Sequence, residues 1–220
     1  MKYSTSQENY LKAIFHLQGL HGTVTTTGLA ESLHTTAASV TDMLKKLKDQ
    51  KLILYERYRG FRLNTDGKKV AVQIIRKHRL WEYFLVEKLS FGWDEVHEVA
   101  EELEHVSSRK LVDRLDSFLE YPQTDPHGDP IPDSNGRFSL KRQVCLADLP
   151  LHLSAEVTGI SDQTAGMLEL LQDKEIRMGT RLEVRKRFAF DHSLEIKIRN
   201  HPPVTLSERV AKNIFVRDET

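Results

Sequence analysis

The nine residues from His97 to His105 read HEVAEELEH, and they constrain this chain more than any other stretch. At 100° per residue a helix brings His97, Glu101, Glu104 and His105 to one side, at spacings i, i+4, i+7 and i+8. Two imidazoles and two carboxylates crowded on one face repel or desolvate one another unless a cation sits among them. A divalent metal is such a cation. Upstream, His78 and Glu82 repeat the i, i+4 arrangement on another helix. One face of this kind is ordinarily a solvated charged surface; two of them point to a metal site.

The 220 residues carry no net charge and suffice for one large domain or two to three small ones with real cores. The neutrality conceals an asymmetry. Residues 1–72 hold eleven Lys and Arg against six Asp and Glu, residues 73–138 eight against fourteen, and residues 139–220 thirteen against twelve. A basic start before an acidic middle is expected where one part meets a polyanion and another a cation. The beginning, MKYSTSQENYLKAIFHL, reads as an amphipathic helix rather than a signal peptide, and no apolar run is long enough to span a bilayer. The single cysteine, Cys145, excludes an intramolecular disulfide framework and fits a reducing, cytoplasmic location.

Apolar residues at Tyr10, Leu11, Ile14, Phe15 and Leu17 predict a first helix over about 4–20. Thr25, Thr26 and Thr27 cap a short helix through Leu33, His34-Thr35-Thr36 turns the chain, and a longer helix runs from Ala37 to Gln50. Two short strands, 52–56 and 61–64, join across Tyr58-Arg59-Gly60. Long helices follow: Thr65-Asp66-Gly67 opens one to Leu89, Trp93-Asp94 opens the His/Glu helix, and Ser107-Ser108 caps another to about Leu119. Residues 120–138, rich in Pro, Gly and Asp, mark a boundary. Beyond it LHLSAEVTGI, RLEVRKRFAF, SLEIKIRN and ERVAKNIFVRD alternate like strands, with TAGMLELLQDK as a helical insertion, which predicts a small β-barrel. The expected fold is therefore mainly α with a small β part, in three pieces: 1–72, 73–138 and 139–220.

Short helix, tight turn, helix and basic hairpin, in that order, form a winged helix-turn-helix pattern. Its second helix would present Thr35, Thr36, Ala37, Ala38, Ser39 and Asp42 to base edges in the major groove. Lys45, Lys46 and Lys48, with Tyr58, Arg59 and Arg62 of the wing, would meet phosphates of double-stranded DNA.

Read together, ENYLKAIFHL, SVTDMLKKLKDQKLI, YERYRGFRLNTDGKK, RKHRLWEYFL, and VHEVAEELEHVSS followed by PHGDPIP resemble the diphtheria-toxin-repressor and manganese-transport-regulator family of metal-dependent repressors. The resemblance covers nearly the whole chain. It implies an N-terminal winged helix domain, a helical dimerisation domain and a C-terminal SH3-like barrel. It also implies a primary metal site at His78, Glu101, Glu104 and His105, with Asn9 from the first helix. Manganese-type relatives generally have aspartate at that first-helix position, and Glu8 lies about 100° away on an ideal helix. A carboxylate at Glu101, where iron-type members have cysteine, favours Mn²⁺ over Fe²⁺, while Zn²⁺ or Co²⁺ would also bind in vitro. Lys12 replaces an acidic residue that some two-metal relatives use. A second site is implied at Glu82, Asp125, His127 and Asp162, with His97 able to join.

The same residues admit other readings. Glu102-x-x-His105 and Glu31-x-x-His34 match half-motifs of di-iron bundles, but the second pair belongs to the helix-turn-helix. His97-Glu98-x-x-Glu101 lacks the second histidine of a zinc protease helix. The expectation is thus a homodimeric, metal-activated regulator of operator DNA with no membrane partner and no enzymatic activity. The alternative is a winged-helix regulator that answers to a non-metal ligand. In the metal-activated reading, repulsion among Glu101, Glu104 and their neighbours leaves the first helix loosely docked until metal neutralises them. The apolar faces carrying Ile74, Trp81, Phe84, Leu85, Val99 and Leu103 would pair the protomers.

Overall fold

A computed structural model describes residues 3–56, 59–106, 108–139, 142–199 and 201–218. Contacts group the chain into two compact units: Met1–His78 with Glu101–Arg114 and Pro132–Arg137, and Arg79–Ala100 with Leu115–Ile131 and Phe138–Thr220. Residues of the acidic middle segment fall in both units.

Local hydrogen bonding sets the helix starts of the first unit. Helix α1 (Thr5–His21) begins in a capping box, with Ser4 Oγ accepting from Gln7 N at 3.3 Å and Gln7 Oε1 accepting from Ser4 N at 3.0 Å. Thr25 Oγ1 accepts from Gly28 N at the head of α2 (Thr26–Ser32), and Thr36 Oγ1 accepts from Ser39 N at the head of α3 (Ala37–Asp49). Between them His34 adopts φ 48°, which makes the tight turn. Strands β1 (Ile53–Glu56) and β2 (Gly60–Leu63) pair antiparallel from Ile53↔Leu63 to Glu56↔Gly60. Val24 adds a bridge, exchanging both backbone hydrogen bonds with Phe61 at 2.9 and 3.0 Å.

Leu11, Ile14, Leu29, Val40, Leu47, Phe61 and Leu63 are fully buried together, each contributing roughly 1.5–3 kcal/mol of transfer free energy. The predicted winged helix-turn-helix is thus present. Met43 and Leu44, at helical spacing from Val40 and Leu47 on α3, are only half-buried.

Three further helices run through residues of both units: α4 (Thr65–Leu89), α5 (Val96–Val106) and α6 (Arg109–Phe118). Ser108 Oγ accepts from Leu111 N at 3.2 Å and starts α6. Ile74 and Leu85, expected on a dimer face, are 1% and 3% exposed within the single chain.

The second unit carries β3 (Val144–Cys145), β4 (Ser154–Ile160), α7 (Ala165–Asp173), β5 (Arg181–Arg187), β6 (Leu194–Ile198), β7 (Val204–Leu206), α8 (Glu208–Ala211) and β8 (Ile214–Asp218). The sheet runs β3-β8-β4-β5-β6-β7, antiparallel throughout, with bulges between Val157 and Gly159 and between Val184 and Lys186. Bulges increase local twist and let so small a sheet curl around one core. Val157, Ile160, Leu168, Leu182, Val184 and Ile196 fill that core. One predicted strand starts late: Ser207 Oγ accepts from Val210 N, so ERVA turns as α8 before β8 begins.

Gly60 shows how tightly the wing is set. Its φ is 107°, and a Cβ there would lie 2.2 Å from Val24 O. Gly60→Ala is expected to destabilise the protein by about 1–3 kcal/mol. Gly19→Ala, in α1 with open space around it, is expected to stabilise by up to about 1 kcal/mol. Urea unfolding of both variants checks the pair of signs.

Candidate metal centre

In the first unit three helices bring ionisable groups together away from water. Helix α1 supplies Glu8 and Lys12, α4 supplies His78, and α5 supplies Glu104 and His105. Glu8, His78, Glu104 and His105 are all buried, with the Glu104 side chain at 0% exposure. His105 Nδ1 lies 2.7 Å from Glu8 Oε2, and His78 Nδ1 lies 2.6 Å from Glu104 Oε2. The other Glu104 oxygen accepts from Lys12 Nζ at 2.7 Å and lies 3.3 Å from His105 Nε2.

Burial would push the Glu104 carboxyl upward. The His78 hydrogen bond and the Lys12 ammonium more than reverse that and hold it below its ordinary value. Asn9 Oδ1, on the same turn of α1, is buried with no hydrogen-bond partner. An orphaned carbonyl oxygen is rare and costly in a folded protein, and it is a hard donor of the kind Mn²⁺ takes.

The second unit holds another such cluster. Glu82, Asp125 and His127 are buried and offer ligand atoms within 4.8 Å of one another. His127 Nε2 donates to Trp93 O at 2.7 Å, which leaves Nδ1 as the bare lone pair. That Nδ1 is buried without a hydrogen-bond partner. Asp125 Oδ1 accepts from the backbone N–H of His127 and of Asp129, at 2.9 and 3.0 Å, and shapes the loop that presents the imidazole. Arg79 braces the loop from α4, donating to Pro130 O at 2.6 Å and to Asp129 Oδ2 at 2.9 Å, with its Nε 3.4 Å from Asp125 Oδ2. Burial, reinforced by the Glu82 and Asp129 carboxylates, nevertheless pushes the Asp125 carboxyl well above the ordinary range. A carboxylate that resists ionisation beside two others is one that an added cation relieves.

Residues 2–61 match the family described as iron dependent repressor, N-terminal DNA binding domain. Residues 64–133 match its metal binding and dimerisation domain, and residues 144–218 match the FeoA domain. The iron-dependent repressor IdeR of Mycobacterium leprae is 34% identical over 125 residues, 57% of this chain and 54% of its own length. The HTH-type transcriptional regulator MntR of Oceanobacillus iheyensis is 32% identical over 120 residues, 54% of this chain and 81% of its own. A solved manganese-dependent transcriptional repressor in complex with manganese aligns with 96% of this chain and 99% of its own, at 32% identity and a TM-score of 0.84. The chain belongs to the diphtheria-toxin-repressor and manganese-transport-regulator family. Its match spans about half the length of the mycobacterial relatives.

Within that family frame the expected site residues divide. His78, Glu104 and His105 stand together, but the first-helix carboxylate that reaches them is Glu8, the neighbour of Asn9. Helical spacing alone set Glu8 aside, and only the depth of α1 against α5 brings it in. Glu101 is 43% exposed and touches the cluster through Lys12 Nζ at 3.7 Å. Among the described residues, no three of the first-unit groups bring ligand atoms within 4.8 Å of one another; their contacts run in pairs.

His97, two turns before His105 on the same helix, lies 3.1 Å from Glu82 in the second unit. Eight residues of helix put about 12 Å between it and His105, too far for one ion to span. Asp162 Oδ1 accepts from Thr164 N at 3.1 Å and Thr164 Oγ1 at 2.7 Å, so it closes the turn that leads into α7. Gln163 beside it is the residue that reaches Asp129, at 3.3 Å. Nor are Glu101 and Glu104 left to repel one another, because Lys12 lies against both.

On the DNA side, Thr36, Ala37, Ala38, Ser39, Asp42, Lys46 and Arg59 are exposed and Thr35 half-buried. Asp42 pairs with Lys45 at 3.1 Å, and Arg62 with Glu56 at 2.5 Å, which draws Arg62 away from a purely phosphate-facing role. Tyr58 lies outside the described residues.

The Glu104 shift has a pH consequence. A carboxyl held below its unfolded value of 4.5 stabilises the fold above that pH, and the stabilisation is lost as pH falls through the folded value. Metal-free wild type is therefore expected to lose stability more steeply below pH 4.5 than Glu104→Gln does, as measured by urea midpoints across pH 6 to 3.5.

Proposed function

We propose that this chain is a metal-responsive DNA-binding regulator, a cytoplasmic homodimeric repressor rather than an enzyme, loaded by Mn²⁺ or alternatively Fe²⁺. The observation that carries the reading is the 2.7 Å contact between Glu8 and His105. It joins α1, whose apolar face packs Leu11 and Ile14 into the helix-turn-helix core, to the helix that holds Glu104. One element thus has a DNA-binding side and an acid–imidazole side.

His78, Glu104 and His105, with Glu8, Asn9 and Glu101 as further oxygen donors, would hold the primary ion. Glu82, Asp125 and His127, with His97, would hold a second. Asp162 is engaged with Thr164 in this reading. Bound divalent metal supplies concentrated positive charge where imidazole protons otherwise meet the carboxylates. The residues do the rest: Glu8 and Asn9 fix α1, His78 and His105 must be neutral to coordinate, and Glu104 ties α4 and α5 to the same point. With α1 fixed in both protomers, the two α3 helices can match successive major grooves about 34 Å apart. Thr35 to Ser39 and Asp42 read bases there, while Lys46, Arg59 and Tyr58 meet phosphates. By linkage, operator DNA must raise metal affinity by the factor that metal raises DNA affinity. The names of the manganese- and iron-dependent relatives support the choice of ion and the repressor role.

DNA selected by the wild type from a random pool in Mn²⁺ provides the test. Manganese is expected to strengthen wild-type binding by about 5- to 150-fold, the usual span of coupling between sites. Glu104→Ala and His105→Ala are expected to lose that dependence. Metal-dependent binding that survives both changes would leave a non-metal ligand as the signal.

A further inference from the structure

Lys12 stands one helical turn beyond Glu8 on α1, and its side chain is 15% exposed. Its ammonium lies 2.7 Å from Glu104 Oε1 and 3.7 Å from Glu101 Oε1. A lysine held this deep against two carboxylates is a cation built into the chain. It shares Glu104 with two imidazoles, His78 at one oxygen and His105 at the other.

A lysine so placed can act in two ways, and their signs are opposite. As an orienting group it would hold Glu104 ready for an ion, and its loss would weaken metal binding. As a counter-ion it would oppose a second cation on the same carboxylate, and its loss would strengthen metal binding. The contacts favour the second. Glu104 is already fixed by complete burial on α5 and by His78 and His105, so orientation does not require the ammonium. Charge balance points the same way. Ionised Glu8, Glu101 and Glu104 carry three negative charges, and Lys12 cancels one before any ion arrives. Inside a protein, two positive charges on one carboxylate repel far more strongly than in water.

We propose that Lys12 is a tethered counter-ion that competes with metal for Glu104 and Glu101, setting the metal concentration at which the primary site loads. The inference rests on the metal-binding reading above and adds a residue that tunes it. The same ammonium already bridges α1 to Glu104 on α5, so loading is an exchange of cations around that carboxylate. Lys12 therefore sets a threshold instead of opening or closing a site.

The test is calorimetric titration of the full chain with Mn²⁺ alone, in wild type, Lys12→Gln and Lys12→Arg. Lys12→Gln is expected to bind about tenfold more tightly or better, since a fixed positive charge beside the ion is gone. Its metal-free form should melt below wild type, and metal should raise its melting temperature further. Lys12→Arg keeps the charge and should stay near wild-type affinity. Equal or weaker binding by Lys12→Gln overturns the proposal and makes the lysine an orienting group. Should that variant not fold, the wild type still decides: the side-chain ¹⁵N resonance of Lys12 should move on addition of diamagnetic Zn²⁺, and an unmoved resonance contradicts competition. A wild type that takes up no metal at all would instead refute the metal-binding reading itself.

Discussion

The first unit is organised around a single buried carboxylate. Glu104 has no exposed side-chain surface, and an isolated charge in that position would be costly enough to force its neutralisation or expulsion. It stays ionised because Lys12 comes to it from α1 and His78 from α4. Removing one partner of such a pair leaves an uncompensated charge, typically at a cost of about 3–5 kcal/mol. The positions of α1, α4 and α5 are therefore conditions for one another. Because α1 also forms a wall of the helix-turn-helix core, whatever changes the cations around Glu104 acts on the element that supports DNA reading.

The second unit meets the same difficulty in a related way. Asp125 and Glu82 are buried, and Arg79 is the fixed cation, braced against Asp125, Asp129 and the Pro130 carbonyl. Here the loop geometry is tighter. Asp125 uses one oxygen to fold the turn, His127 O accepts from Ile160 N at 2.9 Å, and Gly128 approaches the Thr158 carbonyl too closely for any side chain. The His127 imidazole is thereby anchored at both its backbone and its Nε2, with Nδ1 left over. The fixed cation reduces the number of charges that a bound ion must balance without removing the donors it needs.

Most of the fold was legible because local chemistry decided it. Thr25, Thr36 and Ser108 cap where hydroxyls at helix starts said they would, and alternating residues became the strands of the small sheet. The ERVA stretch misled because its alternation spans a cap, Ser207, whose hydrogen bond turns the chain first. The site was legible by residue type but less so by partner. His97, Glu101, Glu104 and His105 do share a helix side, yet angular spacing ignores rise, and rise separates His97 from His105. Glu8 and Asn9 show the converse error: their angular difference seemed to exclude one of them, whereas the packed helix buries Glu8 and the carbonyl oxygen of Asn9. Arg79 and Gln163 left no periodic signal, since their roles come from a loop that tertiary packing folds over them. Lys12 was visible as a departure in charge, but its function as a partner of Glu104 needed three dimensions.

The central claim is that acid–imidazole pairs joining α1, α4 and α5 are where a divalent ion enters. Crystals grown with Mn²⁺ and measured for anomalous scattering test it most directly. The account predicts a manganese peak bound by His78, Glu104 and His105, with Glu8 or Asn9 completing the link to α1. A well-ordered manganese-soaked crystal in which His78 still rests on Glu104, His105 still rests on Glu8, and no anomalous peak lies among them would contradict it.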